Sequence, residues 1–264
     1  MNQKIKTKTG PTSGPKKSEW LAENLRFTAF TKKTEGSEKW WNLVMPESYT
    51  QIITTPYRGE SGKFKKGLVQ LNIQVAQPEL QRIDWLYIPE SQQLNSKDLP
   101  NVGSLDEAVY DFLPVMEKWL STAKIKINRL AFGAVLIHPV VNKEDGYKYI
   151  SKYLNAVKLD PLNSLDFLYQ INRPRIYGGK GIKGIRINRV SKWMVAVLQR
   201  IEIAFNGQIL SALPAENVQQ TACRLEIDIN TNPDVRILPK EKIKSILEEI
   251  VSIGIEITEK GDVE

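Results

Sequence analysis

Alternation with a period of two marks the strands of this chain, and a three-to-four spacing marks its helices. Leu25, Phe27, Ala29 and Thr31 fall on one side of a strand over 25–31. Trp40, Trp41, Leu43 and Val44 predict a short helix within 38–48, ending near Pro46. A hairpin follows. Val69, Leu71, Ile73 and Val75 alternate with Leu68, Gln70, Asn72 and Gln74, and Ile83, Trp85 and Tyr87 alternate over 82–88. The breakers around Pro78 make the turn between them.

The clearest helix covers 105–121. Ser104 and Glu107 have the spacing of a capping box, in which each side chain satisfies a free backbone donor of the first turn. Val109, Phe112, Leu113, Met116 and Leu120 share its apolar face, and Pro114 is expected to kink it. The run 125–139 is apolar at Ile127, Leu130, Phe132, Ala134 and Leu136 and at Val135 and Ile137, and reads as a long strand buried on both faces for part of its length. Asn142 caps a predicted helix over 143–157, with Tyr147, Ile150, Leu154 and Val157 inward. Strands are predicted over 165–172, 184–190, 192–205 and 222–231. Pro239 opens a last helix whose stripe is Ile243, Ile246, Leu247, Ile250 and Ile253, and Gly254 is expected to end it.

The order of elements repeats a β-α-β-β-α theme. It predicts an α+β fold, a mainly antiparallel sheet with helices on one face, built from two related halves at 18–123 and 124–264 that can join as one sheet. Residues 1–17 carry Lys4, Lys6, Lys8, Lys16 and Lys17 with no acid, and read as a disordered basic tail.

Composition then removes whole classes of chemistry. Cys223 is the only cysteine and His138 the only histidine, so a disulfide, a two-histidine metal site or a zinc cluster cannot form within one chain. His138 stands before Pro139 at a strand end, and Cys223 on an apolar strand face. No cofactor is expected. No apolar run reaches membrane-spanning length, which with the lone cysteine suggests a cytoplasmic protein. The net charge of +7 favours an acidic partner.

Two constellations carry candidate chemistry. Between Phe167 and Ile201 there is no acid, while Arg173, Arg175, Lys180, Lys183, Arg186 and Arg189 crowd around a glycine-rich loop at 177–184. These six are the expected contacts to a nucleic acid or a protein partner, with Tyr169, Tyr177 and Trp193 available for stacking. The P-loop spacing is absent, and a flexible hairpin with solvated faces would give the same sequence. The second constellation is Arg224, Glu226, Asp228 and Asn230, which share one strand face opposite Cys223, Leu225, Ile227 and Ile229. Glu226 and Asp228 could share Mg²⁺ in a phosphoryl-transfer enzyme or nuclease, or could be paired with neighbouring cations. Trp40, Trp41, Tyr49 and Tyr57 could line an interface, although large aromatics are core residues first.

The strand at 128–136, after a helix holding Trp119, resembles the "R-I-G-L-R-Y" strand of a sporadically distributed prokaryotic family of uncharacterised proteins of similar length. Leu225 to Asn230 and the helix after it resemble that family's "L-D-L-D" strand and C-terminal helix, and Asn24 to Phe27 resembles its first strand. Ala131 and Val135 depart from the pattern. The resemblance implies a prokaryotic origin and a shared fold, and the scattered distribution suggests mobile or antiviral defence genes. It transfers no site residue. The expected function is non-enzymatic binding of a macromolecule through the basic hairpin, with the Mg²⁺-dependent enzyme as the alternative.

Overall fold

The structure is a computed structural model that describes residues 18–32, 39–45, 50–54, 57–77, 79–90, 98–178, 184–205, 210–233 and 237–262. At 50–54, 57, 77, 199–205 and 210–218 it describes the backbone alone. The described residues form one ten-stranded sheet and four α-helices. In chain order these are β1 (Leu21–Lys32), α1 (Trp40–Val44), β2 (Thr50–Thr54), β3 (Tyr57–Phe64), β4 (Gly67–Gln77), β5 (Leu80–Pro89) and α2 (Leu105–Thr122), followed by β6 (Ile127–Val140), α3 (Lys143–Ser151), β7 (Leu168–Asn172), β8 (Arg175–Tyr177), β9 (Ile185–Phe205), β10 (Leu210–Thr231) and α4 (Ile243–Lys260).

All observed strand pairings are antiparallel, in the order β2-β3-β4-β5-β1-β6-β10-β9-β7, with β8 also paired to β9. β1 and β6 lie side by side at the centre, where Phe27 is registered with Phe132. Outward from β1 run β5, β4, β3 and β2, and outward from β6 run β10, β9 and β7. The fold is the expected α+β type, with the helices on one side.

Helices gather on that side because the central strands send most of their apolar side chains there. Leu25, Phe27 and Ala29 of β1, Leu130, Phe132, Ala134 and Leu136 of β6, and Cys223, Leu225, Ile227 and Ile229 of β10 are buried. Indole rings fill the first half. Trp119 of α2 meets Phe27, Trp40 and Trp85 edge-on, with centroids 5.7–5.9 Å apart. Trp41 stacks on Trp85. Trp40 and Trp41 are therefore core residues, while Tyr49 and the Tyr57 side chain lie outside the described residues.

Several expected boundaries move. β2 and β3 are not visible as alternation because 50–64 holds Gly59, Gly62 and mixed charges; pairing of β3 to β4 and of β2 to β3 defines them instead. The two strands expected at 184–190 and 192–205 are one, β9, and β10 begins at Leu210 rather than Ala222. α3 stops at Ser151. Pro114 sits inside α2 without ending it; the carbonyl it leaves unbonded belongs to Tyr110, which faces solvent. Gly254 does not end α4. A Cβ there would lie 2.9 Å from Phe132 Cε1, so the missing side chain lets the helix approach the sheet closely. The helix ends at Gly261, whose φ of 77° suits glycine. Pro239 precedes a short 3-10 turn at Lys240–Lys242, and α4 starts after it. The basic tail lies outside the described residues. No described helix is long and apolar enough to cross a membrane.

Candidate functional site

The opposite parity of each strand faces away from the helices. On that open face the strand registers align polar side chains in rows that cross the centre of the sheet. One row is Arg82, Phe30 and Arg129. The next is Asp84, Thr28, Ala131, Asn230 and Asn188. A third holds Arg26, Gly133, Asp228 and Val190, and a fourth Val135, Glu226, Lys192 and Gln170.

These side chains form three bonded clusters, around Asp228 and Asn230, around Glu226, and around Asp84. Arg129 Nη2 donates to Asn230 Oδ1 at 2.8 Å, and its guanidinium lies over the Phe30 ring at 5.3 Å. Asn188 donates to the same Asn230 oxygen, and Asn230 Nδ2 donates to Asp228 Oδ1 at 2.8 Å. Arg26 Nη2 reaches Asp228 Oδ2 at 3.3 Å. Lys192 and Arg224 both donate to Glu226, and Arg224 also bonds Glu23. Thr28 and Arg82 engage Asp84. The period of two predicted that Arg224 to Asn230 share a face; strand pairing supplies the cations.

Small residues on the central strand make this face hollow. Gly133 lets the Arg26 side chain lie across β6, since a Cβ there would approach Arg26 Nη2 to 3.2 Å. Asn24, Arg26, Val135, Gln170, Lys192, Glu226 and Asp228 surround a depression of about 200 Å³ above it. Burial acts to raise the Glu226 carboxyl, but the hydrogen bonds from Arg224 and Lys192 outweigh it and hold its pKa below the usual carboxylate value. Burial lowers the Arg129 guanidinium, Asp228 opposes that shift, and Arg82 adds to it. Glu226 and Asp228 thus sit among cations. Among the described residues no group of three or more His, Cys, Asp or Glu side chains could hold a metal ion.

The basic segment is divided by strand parity. Arg186 is exposed on the open face, in phase with Asn188 and Lys192. Arg173, Arg175 and Arg189 turn to the helix side, where they meet the end of α4. Arg173 donates through Nε and Nη2 to Asp262 at 2.5 and 3.1 Å. Tyr169 Oη donates to the same carboxylate at 2.5 Å. Arg175 forms a two-point bond with Glu256, and the buried Arg189 lies 4.0 Å from Glu256. Lys180 and Lys183 lie outside the described residues. Half of the expected contact set thus faces acids 67 to 89 positions away, which no local reading of the acid-free stretch could detect.

No family model and no curated protein matches the chain.

The remaining candidates are structural. Cys223 is buried, its thiol donates to the Gly146 carbonyl at 3.4 Å, and burial pushes its pKa up to about 12. His138 stacks on Tyr149 at 3.9 Å and its Nδ1 lies 3.1 Å from the Glu19 carbonyl oxygen. Trp193 is core.

The acids have a consequence for pH. At Glu256 the Arg175 bond lowers the pKa against burial. At Asp262 burial acts upward, and bonds from Arg173 and Tyr169 overcome it. Glu226 is lowered as well. A carboxyl lowered in the folded state adds stability above its unfolded pKa of about 4 and loses it as pH falls through the folded value. Melting temperature should hold between about pH 7 and 5 and fall steadily below about pH 4. Asp262→Asn should show a shallower acid slope than the parent chain; equal slopes would remove Asp262 from this linkage.

Proposed function

We propose that the protein binds single-stranded nucleic acid on the open face of its sheet, as a binding protein and not a catalyst. One observation carries the reading: a broad face over which no described helix lies, presenting Arg26, Arg82, Arg129, Arg186, Lys192 and Arg224 among the amides Asn24, Gln170 and Asn188, around a shallow hollow. Guanidinium groups suit phosphate oxygens, and amides present a donor and an acceptor to unpaired base edges. The net charge of +7 gives the electrostatic attraction. Arg186 links this face to the basic segment of the sequence. Ion pairing of Glu226 and Asp228 favours this reading over the Mg²⁺-dependent alternative, because neighbouring cations oppose a further cation.

Salt dependence tests it. If about four phosphates are neutralised on a single strand, affinity for an unstructured oligonucleotide should drop roughly 50-fold between about 50 and 200 mM salt. Fluorescence anisotropy reads this directly. No binding of single-stranded DNA or RNA at low salt, or binding that salt leaves unchanged, overturns the proposal.

A further inference from the structure

The hollow of the open face has a floor unlike its walls. The Gly133 backbone and the half-buried Val135 and Val190 form the floor, between Arg26 on β1 and Lys192 on β9. An apolar floor suits a flat ring better than a phosphate, which needs donors on every side. The volume of about 200 Å³ lies below that of pockets for drug-sized ligands, roughly 300–1,000 Å³. It matches one planar ring system, with the sugar and phosphate of a nucleotide left outside.

Glu226 stands at the edge of this floor, registered with Val135 on one side and Lys192 on the other. Its Oε1 accepts from Arg224 Nε at 3.0 Å and its Oε2 from Lys192 Nζ at 3.2 Å. The pKa lies below the usual carboxylate value, so the group is ionised at neutral pH and each oxygen keeps a second lone pair. The side chain is 33% exposed, which leaves a ligand access to it. Lys192 has three N–H donors and spends one on Glu226. Lys192 Nζ, Glu226 Oε2 and Glu226 Oε1 therefore present one donor followed by two acceptors.

Among the common bases, guanine alone carries the complement of that row. Its Watson–Crick edge reads acceptor, donor, donor at O6, N1–H and N2–H. Adenine sets one donor beside an acceptor. Cytosine sets one donor beside two acceptors, and uracil or thymine holds one donor between two acceptors. Each of these turns an acceptor toward the Glu226 carboxylate, which repels it.

We propose that the hollow is a guanine-reading subsite of the nucleic-acid face. Glu226 accepts N1–H at Oε2 and N2–H at Oε1, Lys192 donates to O6, and the ring lies over Gly133 and Val135. The assignment rests on the reading of the open face as a surface for single-stranded nucleic acid.

Three oligonucleotides of equal length test it by fluorescence anisotropy at low salt. One is all thymine, one carries a single central guanine, and one carries inosine there, which lacks the N2 amino group. The parent chain should bind the guanine strand about tenfold or more tighter than the thymine strand, and inosine should lose most of that gain. Glu226→Gln keeps the side-chain length but offers a single acceptor, and should bind guanine and thymine strands equally. Equal affinity of the parent chain for guanine and thymine strands overturns the subsite while the salt-dependent face stands. A guanine preference that survives in Glu226→Gln also overturns it. Failure to bind any strand overturns the subsite and the face together. If Glu226→Gln does not fold, the inosine strand decides alone.

Discussion

Asp262→Ala is expected to destabilise the fold by about 3–5 kcal/mol, the range found when one partner of a buried charge network is removed. The Asp262 side chain is 2% exposed and accepts bonds from Tyr169 and twice from Arg173. Its removal leaves Arg189, also 2% exposed, with Glu256 as its remaining nearby acid at 4.0 Å. Arg173 would lose the carboxylate it bonds at two points, in a region closed by α4. Asp262 also ties the chain end by its backbone, since its N–H donates to the Tyr153 carbonyl at 2.9 Å, and alanine keeps that bond. The loss is therefore a side-chain effect. For a chain of this size it corresponds to a drop of about 6–15 °C in melting temperature, read by calorimetry or circular dichroism near neutral pH. A change of less than about 2 °C would show that Arg173 and Arg189 are satisfied without Asp262.

This cluster marks where the sequence stops being readable. Local periods gave the strands around Phe27, Val69, Trp85 and Leu225, the capping box at Ser104 and the stripe of α4, because each depends on neighbours within a few residues. Parity alone placed Glu226 and Asp228 opposite Leu225 and Ile227. Strand order was not legible. It brings Arg26 of β1 to Asp228 of β10 across β6, 202 positions apart in the chain. The acid-free stretch was real, but its counter-charges are Glu256 on α4 and Asp262 just past its end. Parity within β9 then sends Arg189 one way and Arg186 the other, a division already present in the alternation around Ile187. Gly254 misled for a related reason. A glycine near a helix end resembles a cap, and the close contact with Phe132 that requires it is a tertiary fact.

The open face yields a test in which two substitutions move in opposite directions. Arg26→Gln with Arg129→Gln removes two cations while keeping hydrogen-bonding groups beside Asp228 and Asn230. If both contact phosphates, affinity at low salt should fall about 100-fold and the salt slope should shrink by about 1.4, at 0.7 for each contact to a single strand. Asp228→Asn changes the opposite sign of charge. Asp228 now holds Arg26 and accepts from Asn230, so its carboxylate competes with any phosphate for the same donors. Its neutralisation should strengthen oligonucleotide binding by about fivefold, since it removes one local negative charge and leaves an acceptor for Asn230. A Mg²⁺-dependent enzyme built on Glu226 and Asp228 demands the reverse, because Asp228→Asn would remove a ligand and abolish turnover. Tighter binding with the arginine pair essential supports the binding face. Unchanged affinity in the double-glutamine variant would remove that face from the function, whatever Asp228→Asn does.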